Sequence, residues 1–188
     1  MTMPPDEALS DEGWALLARA GDPRAFDRLV GRYKEPLYRF IRRYVGNAAD
    51  AQDVLQESFI AAWVGLARYD AARSFAPWLR TITLNKCRDW GRRQAVRRLF
   101  LGRWAVEMAV RTDDCVDSPD SDAAPGEAMS RRLDQAIARL PGSLKEPLLL
   151  TTTLGMSHDE AAAILKITAK SVEMRLYRAR GRLREWTA

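Results

Sequence analysis

The chain has 188 residues, 47% apolar and 29% charged, which is enough apolar mass to bury real cores and excludes a disordered tail. Its 30 Lys and Arg outweigh 25 Asp and Glu for a net +5, so a polyanion or an acidic surface is a better expected partner than a neutral small molecule. Two cysteines (Cys87, Cys115) and one histidine (His158) exclude a disulfide framework and a metal-ligand cluster, and leave one candidate for histidine catalysis; no metal and no cofactor is expected. The opening decapeptide lacks the basic-then-apolar order of a signal peptide, and no apolar run approaches the ~20 residues of a membrane span. A soluble cytoplasmic protein without membrane insertion is expected.

Helix punctuation begins at Asp22-Pro23, an N-cap with proline at the first helical position. Phe26, Leu29, Val30, Tyr33, Leu37, Phe40, Ile41 and Tyr44 then recur at helical spacing. Pro36 is expected to kink this helix, and Gly46-Asn47 to stop it and cap the next, with Asp50 in the new first turn. In that next helix Leu55, Phe59, Ala62 and Leu66 form the apolar stripe. Asp53, Gln56, Glu57 and Ile60 fall on other faces, giving an acidic, partly apolar exposed surface.

A third helix reverses the sign. Between Arg73 and Arg103 nine bases and one acid, Asp89, interleave with Phe75, Trp78 and Trp90, a composition suited to phosphate contacts and base stacking. Leu79, Ile82, Thr83, Cys87 and Trp90 share one flank; Thr81, Asn85, Arg88 and Arg92 share the other. A tryptophan at helical spacing is more often core than a base platform, so Trp90 is assigned to the core and Trp78 left open. Cys87 reads as a buried thiol. The apolar stretch 96–110, with Leu99, Phe100, Leu101, Trp104 and Met108, reads as a helical extension that packs on one of the chain's own domains or on a partner.

Residues 112–127 (TDDCVDSPDSDAAPGE) hold six acids, no base and two prolines, the composition of a linker; without them the rest of the chain carries +11. Two basic bodies are therefore tied by an acidic strap. The domains are expected at 9–111 and 128–188, and neither has the period-2 alternation of strands, so the fold class is all-α. In the second body Ser157-His158-Asp159-Glu160 is a capping box, Lys166-Ile167-Thr168 a short turn, and Val172, Leu176, Ala179 and Leu183 the core face of a second helix: a helix-turn-helix. From Lys166 to Arg184 seven bases face one acid, Glu173. A solvated amphipathic helix is the usual explanation of such a run, but the capped first helix and short turn favour entry into a major groove. His158 reads as a surface residue of the cap.

Asp50-Ala-Gln-Asp-Val-Leu-Gln-Glu-Ser-Phe-Ile-Ala-Ala-Trp63, Trp78-Leu-Arg-Thr-Ile-Thr-Leu-Asn-Lys-Cys-Arg-Asp-Trp-Gly-Arg-Arg93, Leu140-Pro141 and the segment Ser157 to Arg184 resemble, in order and spacing, a bacterial RNA polymerase sigma factor of the extracytoplasmic-function group (group 4). The resemblance spans about 22–98 and 130–186. It implies a sigma region 2 helical bundle and a sigma region 4 helix-turn-helix joined by a flexible acidic linker, and a non-enzymatic role: binding core RNA polymerase, directing it to -10/-35 promoters and promoting DNA opening. By resemblance, Asp53, Gln56 and Glu57 dock on the polymerase β′ coiled coil. The -10 element and its opened strand fall to the loop from Tyr69 through Arg73 to Phe75 and to Asn85, Lys86, Arg88, Arg92 and Arg93. The -35 element falls to Lys166, Lys170, Ser171, Glu173, Met174, Arg175 and Arg178. The implied partners are core polymerase (β′ coiled coil and β flap), promoter DNA and an anti-sigma factor, in a stress or envelope response. The strap resembles a linker that threads the polymerase RNA-exit path.

Two departures from the family pattern stand out. Lys166 occupies a turn position where relatives usually have glycine, at a cost on the order of 1 kcal/mol if that residue is left-handed. Glu173 and Met174 replace a base and a serine in the recognition helix; a carboxylate accepts from a cytosine amino group and a thioether contacts a thymine methyl, which points to a less common -35 sequence. A plain repressor or activator would explain the helix-turn-helix but leave the acidic face and the aromatic-basic helix unused. A helical enzyme would need more than the i, i+4 pair Asp53 and Glu57.

Overall fold

The computed structural model describes residues 9–105 and 125–187, and all regular structure among them is helical. The elements run α1 (Asp11–Arg19), α2 (Pro23–Val45), α3 (Ala48–Gly65), a 3₁₀ turn (Leu66–Arg68), α4 (Phe75–Ala105), α5 (Pro125–Arg139), α6 (Gly142–Thr152), α7 (His158–Leu165) and α8 (Ala169–Thr187). Most of the acidic strap lies outside the described residues. Its last three positions, 125–127, are the first turn of α5 and so belong to a helix. No helix among the described residues is long and apolar enough to cross a membrane.

The capping residues act as their types dictate. Asp22 Oδ1 accepts the Arg24 N–H (2.9 Å) and Asn47 Oδ1 the Asp50 N–H (2.8 Å); between them Gly46 closes α2 at φ +95°, a conformation that favours glycine. The capping box of α7 is complete: Ser157 Oγ accepts from Glu160 N–H (3.2 Å) and the Glu160 carboxylate from Ser157 N–H (2.7 Å). Those bonds hold the Glu160 carboxyl below its ordinary range. α2 continues through Pro36 as one helix.

The first domain packs α1 to α4 around Leu29, Leu37, Phe40, Ile41, Val54, Phe75 and Leu79. The expected flank of α4 is the buried one: Leu79, Thr83 and Cys87 are fully covered, with Ile82 and Trp90 half-buried beside them. α4 continues to Ala105, so the 96–110 stretch is helical as far as described, yet Val96 and Phe100 remain 50% and 66% exposed. In the second domain Val172, Leu176 and Ala179 turn inward against Leu149, Leu150 and Ala161, as the periodicity predicts.

The two domains touch. α5 and α6 pack on α2, and α7 reaches α4. The approach is tight at Gly46, where a Cβ would stand 3.1 Å from that of Ala138. α6 is buried on every face from Leu144 to Leu150, including Lys145 and Glu146, because it is sandwiched between its own domain and α2.

Lys166 ends α7 at φ 56°, ψ 46°, the left-handed region that a side chain disfavours. Lys166→Gly is therefore expected to stabilise the chain by about 1 kcal/mol, raising Tm by about 2–4 °C in a thermal melt. An unchanged or lower Tm would mean that the lysine side chain makes up for the backbone cost.

Candidate nucleic-acid interface

Three surfaces carry the residues singled out by the sequence. On α3, Asp53 and Gln56 are exposed and Glu57 is half-buried. Beside them opens a groove of about 590 Å³, walled by Phe26 and Val30 of α2 and by Leu55, Phe59 and Trp63 of α3, with Gln56 among its lining residues. Phe26 meets Phe59 and Trp63 edge-on at 6.4 and 5.0 Å between ring centroids. The acidic edge and an apolar recess thus share one helix. Glu57 turns away from that recess and pairs with Arg93 (3.1 Å) and Lys86 (3.9 Å) of α4.

The second surface is α4 and the loop that feeds it. Here the structure corrects two expectations: Tyr69 (2% exposed) and Phe75 (0%) are core residues. With Tyr33 and Trp78 they form an aromatic cluster whose centroids lie 5.0–5.8 Å apart. Aromatic area in a small helical bundle is worth most when buried, so the rings fix the loop and leave its exposed residues, Asp70, Arg73 and Ser74, to face outward. Trp78, left open above, is half-buried in the same cluster, and a Cβ on Gly65 would lie 3.1 Å from its ring.

α1 ties down this loop, a role that sequence periodicity did not reveal. The Glu12 carboxylate accepts the Phe75 N–H (3.0 Å), which lowers its pKa, and Arg19 donates to the Tyr69 carbonyl (3.1 Å). A signal was present: Ser10-Asp11-Glu12 is a helix start, with Ser10 Oγ accepting the Gly13 N–H (3.2 Å).

Five basic residues of the loop and α4 are held by the chain's own carboxylates. Arg73 pairs with Asp70 (3.6 Å), Arg92 with Asp89, and Arg93 and Lys86 with Glu57. Pairs this open to solvent contribute little, about 0–1 kcal/mol each, so a phosphate can replace the carboxylate. Asn85 is exposed beside them. Arg88 differs: both its Nε (2.8 Å) and an Nη (2.6 Å) donate to Glu146 of α6, a bidentate pair whose carboxylate is only 11% exposed. Periodicity puts Arg88 on the flank opposite the apolar one and gives no sign of Glu146. A charged pair set against the apolar run of α6 was the available signal.

On α8, the third surface, Lys170, Glu173, Met174, Tyr177 and Arg178 are exposed and Arg175 is half-buried. Lys170 Nζ donates to Glu173 (2.9 Å), which lowers the Glu173 pKa. Ser171 is spent on the helix start, its N–H (3.2 Å) and hydroxyl (2.9 Å) both meeting Thr168 Oγ1. Tyr177, 76% exposed on the same outward side, went unnoticed in the sequence.

Comparison with known proteins agrees with this layout. Residues 29–97 match Sigma-70 region 2 and residues 130–183 match Sigma-70, region 4. The chain is 38% identical over 173 residues to the RNA polymerase sigma factor NccH of Alcaligenes xylosoxydans xylosoxydans, covering 92% of each. It is 31% identical over 182 residues to the ECF RNA polymerase sigma-E factor of Haemophilus influenzae, covering 93% of each. The solved structure of CnrH in complex with the cytosolic domain of CnrY superimposes with a TM-score of 0.66 at 33% identity, over 93% of this chain and 95% of that one. With one sigma region matched in each domain and relatives aligned along nearly the whole length, the chain belongs to the extracytoplasmic-function sigma factors of RNA polymerase.

Proposed function

We propose that this chain is a group 4, non-enzymatic sigma factor of the cytoplasm whose α3 edge binds core polymerase, whose α4 face binds and helps to open the -10 element, and whose α8 reads the -35 element. The observation that carries the docking assignment is the shared helix: exposed Gln56 lines an apolar groove and exposed Asp53 stands on the same helix, so one rigid α3 offers charge and apolar area together to a partner coiled coil. Glu57, already bridging to α4, supports the site by holding α3 and α4 in register. The -10 contacts are Arg73, Asn85, Lys86, Arg88, Arg92 and Arg93, with Tyr69 and Phe75 shaping the loop beneath them. Binding energy for unstacked single strand offsets part of the melting cost, so opening needs no nucleotide hydrolysis by this chain.

Control by an anti-sigma factor is part of the same reading. It rests on the family resemblance and on the likeness to CnrH, solved with a cytosolic partner domain. Such a partner would cover the docking and DNA faces in a stress or envelope response.

Asp53→Arg with Gln56→Ala alters the docking edge without touching the buried Val54 and Leu55 or the Glu57 bridges. The double variant is expected to melt like the parent and to lose at least tenfold in affinity for core polymerase, about 1.4 kcal/mol, in a direct binding titration. Parent-like affinity would remove α3 from the interface.

For the -35 element, position along α8 decides the phenotype. Glu173 lies in the first turns, where a groove-bound helix meets base edges. Exchanging it is expected to change the preferred base by ~1–3 kcal/mol in selection from a randomised -35 library. Arg178→Ala, one turn further on, is expected to weaken all sequences alike and lower the salt slope of binding by about 1. The reverse pattern would place the helix differently in the groove.

A further inference from the structure

The helix that carries the -10 residues runs on after its packing ends. The last side chains that α4 gives to the first domain's core are Cys87, which is buried, and Trp90, which is half-buried; from Ala95 to Phe100 every described side chain is exposed. Yet α4 continues to Ala105. Most helical stability in a protein comes from packing one face, so a bare stretch of this length calls for a partner. The stretch also prolongs a face already assigned. At roughly 3.6 residues per turn Asn85, Lys86, Arg92 and Arg93 span about 120° of the helix circumference, and Val96, Arg97 and Phe100 widen that arc only to about 140°. Arg98 falls outside it.

The chemistry of the face changes along its length. Arg73, Lys86, Arg88, Arg92 and Arg93 are each held by a carboxylate of the chain, whereas among the described residues none pairs with Arg97. Val96 and Phe100, one turn apart on either side of it in sequence, are 50% and 66% exposed. An unneutralised guanidinium next to an apolar strip fits a ligand that offers phosphates together with apolar edges, and duplex DNA, with its sugars and thymine methyls, is such a ligand. The chain itself gives the direction. Beyond α4 it leads to the second domain, whose α8 is assigned the -35 element, so the carboxyl end of α4 points upstream of the -10 element. From Arg93 to Phe100 the helix rises about 10 Å, the length of about three base pairs.

We propose that Arg97 and Phe100 form a further DNA site, which holds the duplex immediately upstream of the -10 element, with Arg97 on a backbone phosphate and Phe100 against apolar atoms of sugar and base. A guanidinium and a phosphate suit each other in charge and in geometry, and the ring adds contact area that water leaves on binding. The proposal rests on the -10 assignment of α4, and the test separates the two.

Three fluorescein-labelled probes of mixed sequence are titrated with the full chain: a single strand of about twelve nucleotides, the same strand continued on its 5′ side by about ten base pairs of duplex, and the same strand continued on its 3′ side instead. Arg97→Glu is expected to weaken binding of the 5′-duplex probe several-fold and to leave the other two within about twofold. Arg97→Ala is expected to lower the salt slope on the 5′-duplex probe by about 1, and Phe100→Ala to weaken that probe with its slope unchanged. Arg97→Lys is expected to bind like the parent, which covers the case of a misfolded glutamate variant. Arg92→Ala with Arg93→Ala is expected to weaken all three probes, because each contains the single strand. If Arg97→Glu has no effect on the 5′-duplex probe while the Arg92 and Arg93 variant still weakens all three, the upstream site is overturned and the -10 assignment stands. Equal losses on all three probes, or a loss confined to the 3′-duplex probe, overturn the upstream site as well. Parent-like binding by Phe100→Ala overturns the apolar half of it. If Arg97→Glu leaves DNA binding intact and weakens binding of core polymerase, the face belongs to a protein contact and the DNA site is overturned. An Arg92 and Arg93 variant that binds the single strand like the parent removes the -10 assignment, and the upstream site with it.

Discussion

A helix buried on every face must satisfy each polar group it carries, and α6 carries a lysine and a glutamate. That constraint shapes the whole molecule. Lys145 needs carbonyls and finds them at the ends of α2 and α5; Glu146 needs cations and finds Arg88 on α4. The domain seam and one of the candidate DNA-binding residues are thereby parts of a single network. Its neighbours respond: the hydroxyl of Tyr44 and the thiol of Cys87 both have raised pKa values, chiefly from burial and also from the Glu146 charge. A thiol held in its neutral form is a poor nucleophile, which fits Cys87 as a packing residue.

Carboxylates play the same part elsewhere on the basic surfaces. Asp70, Asp89 and Glu57 each hold a cation of the loop or of α4, and Glu173 holds Lys170 on α8. Pairing of this kind keeps a strongly basic face from repelling itself and leaves the cations exchangeable, because exposed ion pairs are weak. The aromatic cluster sets the geometry on which that exchange depends. Tyr33, Tyr69, Phe75 and Trp78 lock the loop before α4, and α1 bonds to it at both ends, so the loop's exposed residues sit on a rigid base.

Local signals in the sequence were reliable where one residue type has one physical use. Asp22, Asn47 and Ser157 cap helices, Gly46 is left-handed, and the inward positions of α8 follow its periodicity. The left-handed conformation of Lys166 entered only as a condition, from the glycine that relatives usually carry at that turn position. What escaped were tertiary choices. Tyr69 and Phe75 sit in a basic, aromatic stretch that reads equally as core or as base platform, and only the packing of α1 and α2 decides between them. Glu146 and Arg88 are 58 residues apart in sequence, so no local pattern joins them. α6 escaped because its Leu144–Leu150 run is buried on all sides and carries no amphipathic stripe.

The most direct test is transcription from fragmented genomic DNA by core polymerase with and without this chain, with the 5′ ends of the transcripts sequenced. The account predicts a discrete set of start sites that needs the chain and shares one pair of upstream elements near -10 and -35. The same start sites with and without the chain, despite measurable binding to core, would contradict it.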